Sequence, residues 1–179
     1  QRALALDETL AEAHTSLAWV TFIYDWDWPL AARHFRRSIE LNPRYSVARQ
    51  WHSWFQVAMG HPELALAEGR HAIALDPASV SIRRSMGWLH YYTRQPEQAL
   101  EQLRRALAMN PTSEENHRLL GVAYTQVGQL DEAAAAFREA ISLSESPALA
   151  IAGLGVVAAA RGRPDEARAI LGGLEARHR

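Results

Sequence analysis

The chain contains neither cysteine nor lysine, and the absence of cysteine narrows what it can do. Without cysteine it can form no disulfide framework and no catalytic thiolate, which predicts a reducing, cytoplasmic location. All 19 basic residues are arginine, which we attribute to codon bias. The formal net charge of −1 favours neither nucleic acid nor an acidic membrane surface as a partner.

Long apolar runs are also missing. The longest, Ala148–Ala160, is shorter than the roughly 20 residues that a membrane-spanning helix needs, so we predict no membrane partner. No signal peptide is recognisable. Residues 1–10 resemble the end of a later repeat, with Ala3 standing where Ala106 recurs, so we expect a truncated repeat here and more chain upstream.

What the sequence does contain is a pattern that returns every 34 residues. The segment from Glu97 to Pro111 has apolar residues at three- and four-residue steps and ends at Asn-Pro, as an amphipathic helix does. The same pattern ends at Pro77 and at Pro43, and it recurs in residues 131–143. A fixed period of this length predicts a stack of two-helix units.

The turns inside these units share a physical logic. Pro62, Pro96 and Pro164 stand at the start of a second helix, where the missing N–H is not needed. An acidic residue follows each proline and interacts favourably with the helix N-terminus. The pattern predicts about ten helices. They fall into five units, with bounds 11–45, 46–79, 80–113, 114–147 and 148–179.

Small residues mark the point of closest helix packing in each unit. They are Ala18, Ser53, Gly87, Gly121 and Gly155 in the first helices, and Ala65, Ala99, Ala133 and Ala167 in the second helices. With the repeat period, these positions resemble the tetratricopeptide repeat family over essentially the whole chain. The resemblance implies an all-α superhelical solenoid of antiparallel helix pairs, with residues 1–179 as a single domain.

A narrower resemblance lies in the first unit. Its turn from Tyr24 to Pro29 is Tyr-Asp-Trp-Asp-Trp-Pro, and Phe-Arg-Arg-Ser-Ile-Glu-Leu-Asn-Pro follows from Phe35. This combination resembles the C-terminal repeat regions of bacterial winged-helix transcriptional regulators and of adenylate-cyclase-like regulators. It implies that the chain is the sensory or partner-binding part of a larger signalling protein.

Residues for catalysis or metal binding are poorly placed. The eight histidines are scattered singly, so we expect no metal site. Gly153 and Gly155 lie in an apolar helical run with no strand before them, which favours close packing over a nucleotide loop. Asp25 and Asp27 alternate with bulky aromatics in a turn, as in a structural corner. We therefore expect no enzyme activity and no cofactor.

Arginines recur at one position of the second helices, at Arg36, Arg70, Arg104 and Arg138. Glutamates lie nearby at helical spacing, at Glu40, Glu68, Glu101 and Glu139. A nucleic-acid site would need the arginines unopposed, and the near-neutral charge argues against it. We predict a solvated face of salt bridges that binds no nucleic acid.

Aromatic residues are the strongest indication of function. Trp19, Trp54 and Trp88 share one position in the first helices. In tetratricopeptide proteins this position, the one four before it and the one three after it face a concave groove. The groove candidates are Trp19, Phe22, Gln50, Trp54, Arg84, Trp88, Tyr91 and Arg118. Such a groove suits an extended peptide or a partner helix. Alternatively, the tryptophans fill the core between repeats.

Two places depart from the repeat pattern. The first helix of the second unit has Arg49, His52 and Gln56 where apolar side chains are expected. Either this helix is rotated or its aromatics pack where others line a groove. The turn of the first unit holds one extra residue, and we predict that Trp26 and Trp28 are buried there, because both are too large to be left exposed.

Taken as a whole, the sequence predicts a non-catalytic scaffold that binds a protein or peptide segment in its groove. The alternative is a self-association module that forms a homo-oligomer and orients neighbouring domains. Light scattering separates the two hypotheses, because a monomer at all concentrations would exclude self-association.

Overall fold

A computed structural model describes residues 7–177, and all regular structure in that span is helical. The α-helices of the described span are α1 (Ala11–Val20), α2 (Trp28–Leu41), α3 (Ser46–Ala58), α4 (Pro62–Leu75), α5 (Val80–Tyr92), α6 (Pro96–Met109), α7 (Glu114–Gln126), α8 (Leu130–Leu143), α9 (Ala148–Ala160) and α10 (Pro164–Arg177). The predicted all-α class is confirmed. Most of the expected N-terminal repeat remnant lies outside the described residues.

The helices begin where local chemistry favours a start. Proline begins α4, α6 and α10, as the turn pattern predicted, and Pro29 lies in the first turn of α2. The hydroxyl of Ser79 accepts a hydrogen bond from the backbone N–H of Ile82 at the start of α5. Asp27 caps α2 in the same way, accepting from the N–H of Leu30 at 2.9 Å. These caps satisfy N–H groups that the helix itself leaves unpaired.

The first turn accommodates its extra residue in a way that the sequence did not reveal. We placed that residue between Tyr24 and Pro29, but the structure absorbs it in a π-helical turn, Thr21–Asp25, at the end of α1. A π-turn holds one residue more than an α-turn. From Trp26 onward the residues therefore match the next unit at a spacing of 34 again. Trp26 then takes a positive φ of 57°, as Gly60 does at 79° in the following turn.

The chain forms two compact units, Gln1–Thr93 and Arg94–Arg179, each with its own core. In the first unit, Ala18, Ala31, Phe35 and Phe55 form one buried cluster. A second cluster joins α4 to α5 through Ala65, Leu66, Met86 and Leu89. Burying the Phe, Leu and Met side chains among these contributes about 1.5–3 kcal/mol each, so the apolar faces hold the helix pairs together.

Phe137 is the centre of the second unit. It is almost fully buried, and it clusters with Ala133, Ala140, Ala150 and Val157 from α8 and α9. A Cβ placed on Gly121 would lie 2.8 Å from its ring, and one on Gly153 would lie 2.4 Å away. Gly153 therefore serves close packing, since any side chain there would overlap the ring. None of the helices within residues 7–177 is long and apolar enough to cross a bilayer.

A candidate peptide-binding groove

An apolar groove of about 370 Å³ opens on the first unit. Its lining consists of Trp19, Phe22, Trp54, Val57, Ala58 and Tyr92. The π-helical turn supplies Phe22, and α1, α3 and α5 supply the rest. The lining is apolar except for the tyrosine hydroxyl and the indole N–H groups. Such a surface accepts large apolar side chains of a ligand.

The three frame-related tryptophans lie at the boundary between the core and solvent. Trp19, Trp54 and Trp88 are each half-buried. Trp19 also packs against the Phe35 cluster, with its ring 5.1 Å from that of Trp51. Each tryptophan therefore has one part in packing and another part accessible, so the groove and core interpretations do not exclude each other.

Tyr92 joins the groove although the sequence analysis did not select it. Its ring is 57% exposed, stacks on Trp88 at 5.4 Å and meets the edge of Trp54 at 6.0 Å. Tyr91 lies against the same Trp88 ring at 4.9 Å. The sequence prediction chose residues by one repeat position, three after the tryptophan, and so it included Tyr91 and not Tyr92. Tyr92 stands four residues after Trp88, and residues three and four apart on a helix are neighbours on its surface.

Gln50 has a different place from the one predicted. Its side chain is buried, and its amide nitrogen donates to the hydroxyl of Ser85 at 2.6 Å and to that of Ser81 at 3.1 Å. The indole N–H of Trp54 donates to the same Ser85 hydroxyl at 3.4 Å. Gln50 therefore links α3 to α5 and helps to fix the orientation of Trp54.

The two predicted groove arginines belong to different units. Arg84 is half-buried on α5 in the first unit. Arg118 lies on α7 in the second unit, with its Nε 4.0 Å from a carboxylate oxygen of Glu114. That both arginines face the groove stays a prediction.

A second depression, of about 450 Å³, adjoins the groove at the first turn. We call it the corner depression; Phe22, Ile23, Trp26, Trp28, Ala58 and Met59 line it, and it shares Phe22 and Ala58 with the groove. Trp26 is 71% exposed and Trp28 is 44% exposed, so the predicted burial of these rings is wrong. The left-handed backbone of Trp26 is one usually taken by glycine, and it leaves the ring outside the core.

Polar side chains on α3 meet a carboxylate from α4. Arg49 donates from Nη1 to both oxygens of Glu68, at 2.9 and 3.1 Å. His52 Nδ1 lies 3.6 Å from Glu68, and the amide of Gln56 donates to His52 Nε2 at 2.7 Å. Burial would raise the pKa of Glu68, but its interactions with His52 and Arg49 outweigh this and lower the pKa. The unexpected polar residues of α3 therefore form one network.

Two histidines that the sequence separates come together across α1 and α2. His14 Nδ1 and His34 Nδ1 are 2.9 Å apart, and His14 Nε2 lies 3.1 Å from the carbonyl oxygen of Glu8. A carbonyl can only accept, so His14 Nε2 donates to it and His34 Nδ1–H donates to His14. Burial, His14 and Arg33 lower the pKa of His34. Within residues 7–177, no group of three or more His, Asp and Glu residues is placed to hold a metal ion.

The arginines that recur on the second helices are exposed, as predicted, but the ion pairs on α2 and α6 are made by their neighbours. Arg37 pairs with Glu40 at 3.6 Å and Arg105 pairs with Glu101, so the residue after the frame position forms the ion pair. Arg104 instead stacks over the Tyr124 ring at 5.4 Å. Rotation by one residue on a helix changes which face a side chain reaches, and spacing alone did not resolve that rotation.

Helix pairs that recur at a fixed interval define a helical-repeat protein. Two family models described as tetratricopeptide repeat match the chain, one over residues 84–150 and the other over residues 124–179. Together the two matches cover more than half of the sequence. The chain belongs to the tetratricopeptide repeat family.

Solved structures share this fold. PilW, a type IV pilus biogenesis factor, is 23% identical with a TM-score of 0.85, over 98% of this chain and 81% of PilW. TTC0263, a thermophilic TPR protein of Thermus thermophilus, is 23% identical with a TM-score of 0.78, over 92% and 90%. YrrB, a TPR protein with an unusual peptide-binding site, is 20% identical with a TM-score of 0.67, over 97% and 89%. At these identities the likeness concerns the fold alone. No curated protein matches the chain.

Proposed function

We propose that this chain binds a segment of a partner protein in the groove of its first unit, with Trp19, Trp54 and Tyr92 as the main contacts. Tetratricopeptide repeat proteins are protein-interaction scaffolds. The observation that carries the proposal is the groove itself, whose half-exposed aromatic rings are already fixed by ring–ring contacts and by the Ser85 hydrogen bond. Rigid aromatic anchors lose little conformational entropy on binding, which makes them effective interface residues.

The partner segment is one that carries large apolar side chains at helical or alternate spacing. The groove offers few hydrogen-bonding groups, so its affinity comes from apolar burial. We further propose, from the aromatic turn of the first unit, that the chain is the cytoplasmic partner-binding region of a larger bacterial signalling or transcriptional regulator. The reading frame upstream of this segment tests that proposal: it should encode an output domain.

A display library of random short peptides tests the groove. Peptides selected on the native chain should be enriched in aromatic and large aliphatic residues and should lose most of their affinity for Tyr92→Ala. Because Tyr92 is largely exposed, this variant should stay folded, with a small fall in melting temperature from the lost ring contacts to Trp54 and Trp88. Leu149→Ala is the control: it truncates another exposed apolar residue, in the second unit, and should leave peptide binding unchanged. Equal loss in both variants, or no enriched peptide, would refute groove binding.

Self-association is the second candidate function, and exposed apolar residues on the last two helices favour it. Leu149 and Val156 on α9 are 68% and 58% exposed, and Leu171 on α10 is 57% exposed. Large exposed apolar groups of this kind are typical of interfaces. Sedimentation velocity across micromolar concentrations should show an oligomer that Leu171→Glu dissolves. A single monomer at every concentration would exclude this function.

A further inference from the structure

The corner depression has three properties that a packing role does not explain. Trp26 is the most exposed of the tryptophans named in this unit, and it takes a backbone conformation that costs free energy for any residue with a Cβ. The following turn uses Gly60 for that conformation, with nothing within 4 Å of where its Cβ would be. Arg94 has the same conformation in the turn after that, with φ 58°, so the turn imposes the backbone and it is the exposure of the indole that indicates binding.

The chain neighbours of Trp26 are both aspartates. Asp25 and Asp27 are exposed, and neither forms an ion pair with a residue that the structure describes. Asp27 uses Oδ1 to cap α2, which leaves Oδ2 free to accept from a ligand. The depression itself is apolar, and Ile23 and Met59 line it together with the two tryptophans.

The two indole rings limit how a ligand can bind. Their centroids are 6.4 Å apart and the planes are tilted by 31°. Flat groups stack at about 3.5–4 Å, so a third plane between the rings would need a separation of about 7 Å or more. A ligand group therefore lies over an outer ring face and extends into the depression.

We propose that the corner depression binds an arginine side chain of the partner segment. The aliphatic stem lies against Ile23 and Met59, the guanidinium stacks on an indole face, and Asp27 accepts its hydrogen bonds. A charged ligand group is favoured over a purely apolar one because Asp27 Oδ2 is free to accept from it, and a lysine ammonium lacks a plane to stack. This inference rests on the proposed groove function and adds a charged anchor to its apolar ones.

The test uses two small probes on the native chain: the acetylated, amidated tripeptide Leu-Arg-Leu and its analogue with citrulline, which has the same shape without the charge. Indole N–H signals of isotope-labelled protein report binding, and Trp26→Phe and Trp28→Phe assign them. The arginine probe should shift the Trp26 and Trp28 signals saturably. Its affinity should exceed that of the citrulline probe by about two- to fivefold, the range of an exposed cation–π contact.

Variants separate charge from structure. Asp27→Asn removes the charge and keeps a good helix cap, so the melting temperature should not change. The variant should bind the arginine probe more weakly and the citrulline probe as before. Glu132→Gln, an exposed carboxylate of the second unit, is the control and should have no effect. Trp26→Gly should abolish binding without lowering the melting temperature, because glycine suits the left-handed backbone.

Three results would overturn the inference: equal affinities for the two probes, Trp26 and Trp28 signals that do not move, or an Asp27→Asn variant that binds the arginine probe as the native chain does. Groove binding is measured separately. Peptides selected on the native chain should still shift the signals of Trp19 and Trp54 if only the corner inference is wrong.

Discussion

Trp26 and Gly60 occupy the same position in successive turns and share a left-handed backbone, with φ of 57° and 79°. A Cβ in that conformation approaches the carbonyl oxygen and costs roughly 1–2 kcal/mol. The chain therefore gives up stability at Trp26 and keeps an exposed indole at the corner. Arg94 has the same conformation in the turn after that of Gly60, with φ 58°, so the repeat imposes this backbone on whichever residue stands there.

Replacing Trp26 by glycine should increase stability. We expect Trp26→Gly to raise the free energy of unfolding by about 0.5–1 kcal/mol, the relief of strain being partly offset by the greater freedom of glycine in the unfolded chain. Urea denaturation measures the change. Gly60→Ala, which introduces the same strain, should lower stability by a similar amount. A clearly destabilised Trp26→Gly variant would show that the indole supports the fold.

Large aromatic residues of the first unit should differ in their effects on stability according to burial. Phe35 is fully buried, so Phe35→Ala should cost about 3–5 kcal/mol through lost burial and the cavity left behind. Trp28 is 44% exposed, and Trp28→Ala should cost about 1 kcal/mol or less. Chemical denaturation of the two variants provides the comparison. Similar costs would mean that the corner is packed in solution.

Gly153 should tolerate no side chain while Phe137 stays in place. The Cβ of Gly153→Ala would lie 2.4 Å from the Phe137 ring, and the overlap should cost about 1–3 kcal/mol. Phe137→Leu should relieve part of that cost in the double variant, a coupling of at least about 0.5 kcal/mol. Gly172→Ala is the control: a Cβ there meets nothing within 4 Å, so helix propensity should stabilise it by about 1 kcal/mol.

The ion pair between Arg49 and Glu68 should contribute to stability only while the carboxylate is charged. Both side chains are largely buried, at 20% and 16% exposure, so Glu68→Gln should cost about 1–3 kcal/mol at neutral pH. Because the pKa of Glu68 is lowered on folding, the contribution is full above the ordinary value of 4.5 and is lost as the pH falls through the lowered pKa. The difference between native and variant melting temperatures should therefore vanish in acid. Glu101→Gln, in an exposed pair, should change stability by less than about 0.5 kcal/mol.

His34 should make stability depend on pH in a milder range. Its pKa is lowered on folding, so the unfolded chain binds more protons as the pH falls below the ordinary value of 6.5. The melting temperature of the native chain should fall as the pH is lowered below this value. The His34→Gln variant should show a smaller fall. Since seven other histidines are present, the comparison of the two proteins carries the test. An identical pH dependence would contradict the lowered pKa.

How far the sequence predicts this molecule depends on the kind of feature. The Asn-Pro and Gly-x-Pro boundaries predicted the helices well, because they act within one turn of the backbone. The aromatic frame also indicated Trp19 and Trp54, which the structure places on one groove. The repeat position of the aromatic residues did not identify Tyr92 or the corner depression, because several helices together decide which side chains line one surface. The tryptophan at a turn position that otherwise favours glycine was the available clue.

By itself the sequence determined the helical repeat, since its period, its prolines and its small residues each constrain local backbone or the distance between adjacent helices. The tertiary structure decided which of those residues are available for binding. It buried Gln50 beneath Ser81 and Ser85, joined Arg49 to Glu68, and left Trp26 and Trp28 open to solvent. The physical reason is that exposure and hydrogen-bond partners are set by neighbours from other helices, whereas helix formation is set largely by neighbours along the chain.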